Sequence, residues 1–369
     1  MKRFWFSQPT SQQIDIKTIA FGLGLTGLIP CLLFSLAAYL GGVHRYFELI
    51  SHFKVQYFVI SCIVFLLLSF ARRKTWWLVS LFCLTLNAVD VIPWYIPQFS
   101  DMNTSSGQPL RVLLANVSSD NQRYAEFISL VKAEKPQLLV VQEVNPMWSQ
   151  QLEALKPLLP YQIVYPRFDN FGIAVYSAIP LKNTDIQSFT EYDIPSIVTE
   201  LKWQDKTVSI IATHPLPPIN AEYFKSRNQQ LLELGNVITS INTIHAVIGD
   251  LNTTMWSPYY RKFIRQTGLK NARSGFGILP TWPQGAPMLQ IPLDHCLISP
   301  ELHVLAIRTG GDIGSDHRPL IIDLVIPTLP ARSPTSSRSR GSLYLTYYPK
   351  LHLLSDALLP VPYFPLNRL

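Results

Sequence analysis

Cysteine is scarce: there are 4 in 369 residues, with Cys31, Cys62 and Cys83 inside strongly apolar segments and Cys296 alone. Neither a disulfide framework nor a metal-thiolate site can be built from that spacing. Charge is sparse too, at 15% of residues, and unevenly spread. The net charge of +7 would suit a nucleic-acid binder, yet residues 105–326 hold 18 basic and 19 acidic side chains, a net of −1. The surplus sits in residues 1–104 (8 basic, 4 acidic) and 327–369 (5 basic, 1 acidic), so the central segment has no basic excess with which to track nucleic acid.

Thr18–Leu40 carries no charge and is long enough at helical rise to cross a hydrocarbon core of roughly 30 Å. Val55–Ala71 is a second candidate span and Trp76–Ile96 a third, the latter carrying Asn87 and Asp90 but ending in Pro93, Trp94 and Tyr95, which suit an interface. Two arrangements follow: three spans, or two spans and an interfacial segment. Lys2, Arg3 and Lys17 precede the first span, and Arg72, Arg73 and Lys74 separate the second from the third, whereas the first loop holds only Arg45 and Lys54. That bias puts the N-terminus in the cytoplasm of a cell (plasma or inner) membrane and, after three crossings, everything beyond Ile96 on the non-cytoplasmic side. Gly22-Leu-Gly24-Leu-Thr-Gly27 has dinucleotide-fingerprint spacing, but no strand precedes it and it lies inside a span, where glycine is common.

Residues 1–97 thus read as a membrane domain with helices at 18–40, 55–71 and 76–96. Residues 98–109 read as a polar linker and 327–369, rich in Pro, Ser and basic residues, as a disordered tail. Residues 110–326 follow a soluble pattern. A strand at Arg111–Ala115 ends in Asn116, an amphipathic helix falls within Ser119–Lys135, and the apolar strand Gln137–Val141 runs into Gln142 and Glu143. Further strands are expected at 171–176, 197–203, 208–213, 246–248, 294–298, 302–307 and 320–326, with helices at 222–241 and 257–267. Many strands with few intervening helices predict two packed sheets with helices outside.

The stretch Ala246-Val-Ile-Gly-Asp-Leu-Asn-Thr253 concentrates the chemistry: a buried strand, a glycine turn, then Asp250 and Asn252 side by side at the strand exit. Such a pair can position a water and a phosphate oxygen; an Asx turn gives the same spelling. Asn116, Glu143, His214, Asp294 and His317 flank other strong strands in the same way. With L-L-A-N at 113–116, V-V-Q-E-V at 140–144, A-T-H at 212–214, G-D-L-N at 249–252, L-D-H at 293–295 and S-D-H-R-P at 315–319, residues 112–326 resemble the endonuclease/exonuclease/phosphatase superfamily with its deoxyribonuclease-like fold.

The resemblance implies an α+β protein, a four-layer α/β/β/α sandwich, that hydrolyses phosphate esters with a divalent cation, Mg²⁺ or Mn²⁺. It implies Glu143 as principal metal ligand, with Asn116 and Asp316 beside it. Asp250 would hold and deprotonate water, Asn252 would fix geometry, His317 oriented by Asp294 would face the phosphate, and His214 would protonate the leaving oxygen. His295, adjacent to Asp294, should point to the opposite face of its strand and stay out of the site. Two departures stand out: Ser118 replaces an acidic residue common in relatives, and Tyr192–Val198 lacks an Arg often found there. Arg261, Lys262 and Arg265 read as a solvated helix face rather than an anion clamp. The expected protein is a membrane-anchored phosphodiesterase or phosphomonoesterase. Its partners would be membrane lipids and a phosphoester from a lipid head group or nucleic acid; the alternatives are a nuclease and a catalytically silent binding module.

Overall fold

The computed structural model describes residues 15–97 and 108–326. Most of the expected linker and all of the expected tail lie outside the described residues. Among the described residues, three helices are long and apolar enough to cross a membrane: Ile16–Leu40, Lys54–Ala71 and Lys74–Tyr95. They contain α1 (Ile16–Ala37), α3 (Lys54–Ala71) and α4 (Lys74–Val91); a short helix that the sequence pattern does not announce, α2 (Arg45–Ser51), lies between α1 and α3. Of the two arrangements left open by the sequence, three helices of spanning length are observed. The polar residues that weakened the third are all satisfied. The Asn87 amide donates to the Ser35 hydroxyl at 3.0 Å, and Asp90 pairs with Lys54 at 2.8 Å and with Arg261 at 3.0 Å.

Two six-stranded sheets follow. The first contains β1 (Leu110–Asn116), β2 (Leu138–Gln142), β3 (Tyr161–Tyr165), β4 (Ile173–Ser177), β11 (His303–Thr309) and β12 (Leu320–Val325), in the order β11-β12-β1-β2-β4-β3. The second contains β5 (Leu181–Ser188), β6 (Pro195–Trp203), β7 (Lys206–Thr213), β8 (Ile244–Asp250), β9 (Lys270–Asn271) and β10 (Asp294–Ile298), in the order β5-β6-β7-β8-β10-β9. Side chains such as Val112, Val140, Ile210 and Ile248 fill the space between the sheets. Helices α5 (Tyr124–Glu134) and α6 (Pro146–Leu152) cover the first sheet through Phe127 and Trp148. On the outer face of the second, α7 (Ala221–Thr239) and α8 (Pro258–Thr267) pack through Leu234 and Phe263. This is the deoxyribonuclease-like α/β/β/α sandwich expected from the sequence.

Each sheet has one parallel pair, β1 with β2 and β7 with β8, bridged by α5 and α7 respectively. All other pairings are antiparallel. A parallel pair sends both strand exits to one edge, so two such pairs facing each other gather four exits. The helical unit packs onto the same body: Val91, Trp94, Val55 and Phe58 join the cluster built by α7 and α8.

Candidate active site

Asn116 and Gln142 lie in register at the exits of β1 and β2. Across the sandwich, β8 ends at Asp250, and Asp294 opens β10 directly opposite it. Gln142 links the two sheets: its amide donates to the Thr213 carbonyl at 2.8 Å while its side-chain oxygen accepts the Asp250 N–H at 2.8 Å. Gly249 is required by this proximity, since a Cβ there would stand 1.9 Å from the Thr213 carbonyl oxygen. Asp250 therefore leaves its strand fixed at both main chain and side chain.

Glu143, His214, Asp250, Asn252, Asp316 and His317 line one cleft of about 680 Å³. Asn116 and Asp294 stand behind it. The Asn116 amide donates to the Glu143 carboxylate at 2.8 Å, and its own oxygen accepts the Ser118 N–H at 3.1 Å, so it holds Glu143 by its nitrogen. Ser119 donates a second N–H to Glu143 at 3.3 Å. Asp294 lies 2.8 Å from the Nδ1 of His317, which fixes the imidazole and turns its Nε2 to within 3.6 Å of Asp250. His214 approaches the same Asp250 oxygen at 3.5 Å through its Nε2. The other Asp250 oxygen accepts the Asn252 N–H at 2.8 Å, closing the Asx turn, and the Asn252 amide donates to the Pro215 carbonyl at 2.9 Å.

The charges are strongly coupled. Burial alone would raise the Asp250 pKa, but the His214 contact and the two imidazoles hold it at about 2. Burial opposes protonation of His317, yet Asp294 and Asp250 outweigh it and push its pKa up to about 10. His214 is shifted upward as well, burial being overcome chiefly by Asp250. The resting site is thus an ionised carboxylate flanked by two imidazoles biased toward the cationic form, an arrangement suited to an anion with a water beside it.

Glu143 and Asp316, both in the lining of the cleft, are carboxylates with the donor chemistry of a hard divalent cation, which takes few carboxylates and keeps several waters. Among the described residues no group of three or more His, Cys, Asp and Glu forms a metal cage. Asp316 also accepts the Trp282 indole N–H at 2.9 Å.

His295 stays out of the cleft: it is buried, with its Nε2 2.9 Å from the Thr253 carbonyl and its Nδ1 3.2 Å from Asn271. Arg261 does not sit on an open solvated face but pairs with Asp90 at the end of α4. Sequence reasoning missed Gln142, Phe171, whose tilted ring lies 5.6 Å from that of His214, and Trp282, 6.4 Å from that of His317. A polar residue closing an otherwise apolar strand was the available signal for Gln142. Leu49 and His52 of the helical unit also line the cleft, and no local pattern marks them.

The sequence profile of the Endonuclease/Exonuclease/phosphatase family matches residues 103–317. No curated protein matches the chain. Among solved structures, D. rerio TDP2 complexed with single strand DNA product aligns with TM-score 0.50 and 15% identity, covering 58% of this chain and 98% of that one. Truncated Caenorhabditis elegans TDP2 aligns with TM-score 0.50 and 17% identity, covering 59% and 98%. At such identities the likeness speaks for the fold alone, but the profile spans more than half the chain and includes all the strand exits described above. The chain belongs to the endonuclease/exonuclease/phosphatase family, whose members are phosphoesterases and nucleases.

Proposed function

We propose that the protein is a membrane-anchored, divalent-metal-dependent phosphoesterase. The observation that carries this reading is the convergence of His214 and His317 on one carboxylate oxygen of Asp250, in a cleft that Glu143 and Asp316 also line. Glu143 and Asp316 would hold Mg²⁺ or Mn²⁺, which when bound neutralises phosphate charge. His317 and His214 in their cationic forms draw the phosphate against Asp250. A water held by Asp250 attacks phosphorus: the new P–O bond forms from the water oxygen, its proton passes to the Asp250 carboxylate, and the P–O bond to the leaving group breaks. His214 delivers a proton to the departing oxygen. With its pKa raised, His317 acts at neutral pH as an electrostatic partner of the phosphate rather than as the base. Asn116 and Asp294 act through Glu143 and His317.

A panel of phosphomonoesters, phosphodiesters, DNA and phospholipids assayed with Mg²⁺ or Mn²⁺ tests the proposal. Cleavage of at least one class is expected, and Glu143→Ala should raise the metal concentration giving half-maximal rate by ~10-fold or more. Inertness of a folded wild-type protein across the panel would favour a silent binding module. A nuclease reading gains from the TDP2 neighbour seen with single strand DNA product, but the near-neutral charge of residues 105–326 weighs against extended nucleic-acid binding.

The catalytic unit is placed by this reading on the non-cytoplasmic face. The ends of α1 and α4 and the start of α3 meet at Asp90, which accepts from Tyr39 and pairs with Lys54, and the sandwich packs at that end. The basic residues Arg72, Arg73 and Lys74 mark the opposite end. An epitope tag appended after Leu369 should therefore be cut by protease added to intact spheroplasts. Protection there, with cutting in inverted vesicles, reverses the orientation.

A further inference from the structure

The cleft is not made by the sandwich alone. Leu49 and His52, on and just after α2, form part of its wall, within two to five residues of Lys54 where α3 begins. His52 is anchored there: its Nδ1 lies 2.9 Å from the Thr254 hydroxyl and its Nε2 3.3 Å from Glu48. Gln56, in the first turn of α3, donates to the carbonyls of Met288 and Gln290 at 3.3 and 3.0 Å. That bond holds the 287–291 segment, whose Ile291 lines the cleft, beside the helix end. Met288 and Leu289 are 81% and 55% exposed, and Ile219, which lines the cleft with Pro217 and Pro218, is 73% exposed. Exposed apolar residues of the spanning helices continue to the same end, through Leu40, Ile92 and Ile96. Through the Gln56 bonds, the segment carrying the exposed Met288 and Leu289 is fastened to the first turn of a spanning helix, at the end where Leu40, Ile92 and Ile96 are exposed.

Resting on the phosphoesterase and membrane-anchor readings above, we propose that the substrate is a lipid-borne phosphoester. Its phosphate enters between α2 and the 217–219 and 287–291 rims, while its hydrocarbon chains remain in or against the bilayer. A free nucleotide or an oligonucleotide would leave those exposed side chains without a partner. The cleft volume of about 680 Å³ exceeds what a phosphate group alone requires, leaving room for a head group or the first carbons of a chain.

The full chain in lipid nanodiscs, supplied with Mg²⁺, tests this. The probes are phosphatidic acid, phosphatidylglycerol and sphingomyelin incorporated in the phosphatidylcholine of the same nanodiscs, their short-chain soluble counterparts, bis(p-nitrophenyl) phosphate, p-nitrophenyl phosphate and single-stranded DNA. At least one long-chain lipid should be cleaved with kcat/KM ~10-fold or more above its short-chain form, the factor expected from burying about two methylenes. Leu49→Glu and, separately, Ile219→Glu should pull that chain-length ratio down toward one. Because the ratio is taken on each variant, partial loss of folding cancels from it. Equal rates on long and short chains, an unchanged ratio in both variants, or cleavage of DNA or soluble esters without any lipid overturns the proposal while keeping the phosphoesterase reading. No turnover of any probe by folded wild-type protein overturns both.

Discussion

Replacing Asp250 with asparagine lowers kcat/KM for whichever phosphoester is cleaved by ~10³-fold or more, the range seen when a positioned acid–base or charge-stabilising group is removed. The substitution keeps the side-chain volume, and the amide oxygen can still accept the Asn252 N–H that now reaches the carboxylate at 2.8 Å. The amide nitrogen then faces two imidazole nitrogens that stand 3.5 and 3.6 Å from the present oxygen. A donor meets donors where an anion stood, the proton acceptor for water is gone, and the upward shifts of His214 and His317 lose a shared cause. The loss should fall on kcat more than on KM, because the acceptor matters most as the water gives up its proton. Steady-state kinetics on the Asn variant, with circular dichroism to verify the fold, measure this. Activity within tenfold of wild type would remove Asp250 from the chemistry and with it the assignment of the cleft.

Much of this arrangement could be read before any coordinates. Asp250, Asn252, His214 and Glu143 each close a strong apolar strand, and period-two or fully apolar runs are the most legible signal in a sequence. The strands without a sequence signal are β3, β5 and the two-residue β9: β3 has no buried residue, with only Ile163 and Val164 half-buried, and β5 is exposed at most of its positions. What could not be read was side-chain pairing across long sequence separations. Gln142 acts on β7 and β8, 71 and 108 residues away, through bonds that no local pattern announces. Arg261 looked like an ordinary solvent-facing charge until Asp90, 171 residues earlier, was found beside it. The α2 helix is the largest omission. Seven residues in a short loop between two spans carry no amphipathic repeat long enough to register, yet they supply a wall of the cleft.

That same helix is held by the ion pair with the second large expected effect. Glu48 of α2 and Arg227 of α7 are both fully buried and meet at 3.1 Å. Arg227 also donates to the Asn252 carbonyl at 2.8 Å, and Glu48 accepts from the Thr253 hydroxyl at 3.2 Å. The pair therefore ties the helical unit to the loop that carries Asn252. Removing Arg227 leaves the buried Glu48 with only the His52 imidazole to balance its charge, so Arg227→Met should cost about 3 kcal/mol of stability. The double variant Glu48→Gln, Arg227→Met should recover part of that, because no uncompensated charge remains. The acid side gives an independent signature. Burial favours the neutral form of Glu48, but His52 and Arg227 overcome it and hold the pKa at about 2, below the ordinary 4.5. A depressed carboxylate contributes its stability above the unfolded value and loses it as pH falls through the folded one. Denaturation of the full chain in detergent should therefore show a drop in stability between pH 4.5 and 2 that is smaller in the double variant. A single variant that unfolds within ~1 kcal/mol of wild type, as an exposed pair would, would mean that α2 is not fastened to the catalytic body through this contact.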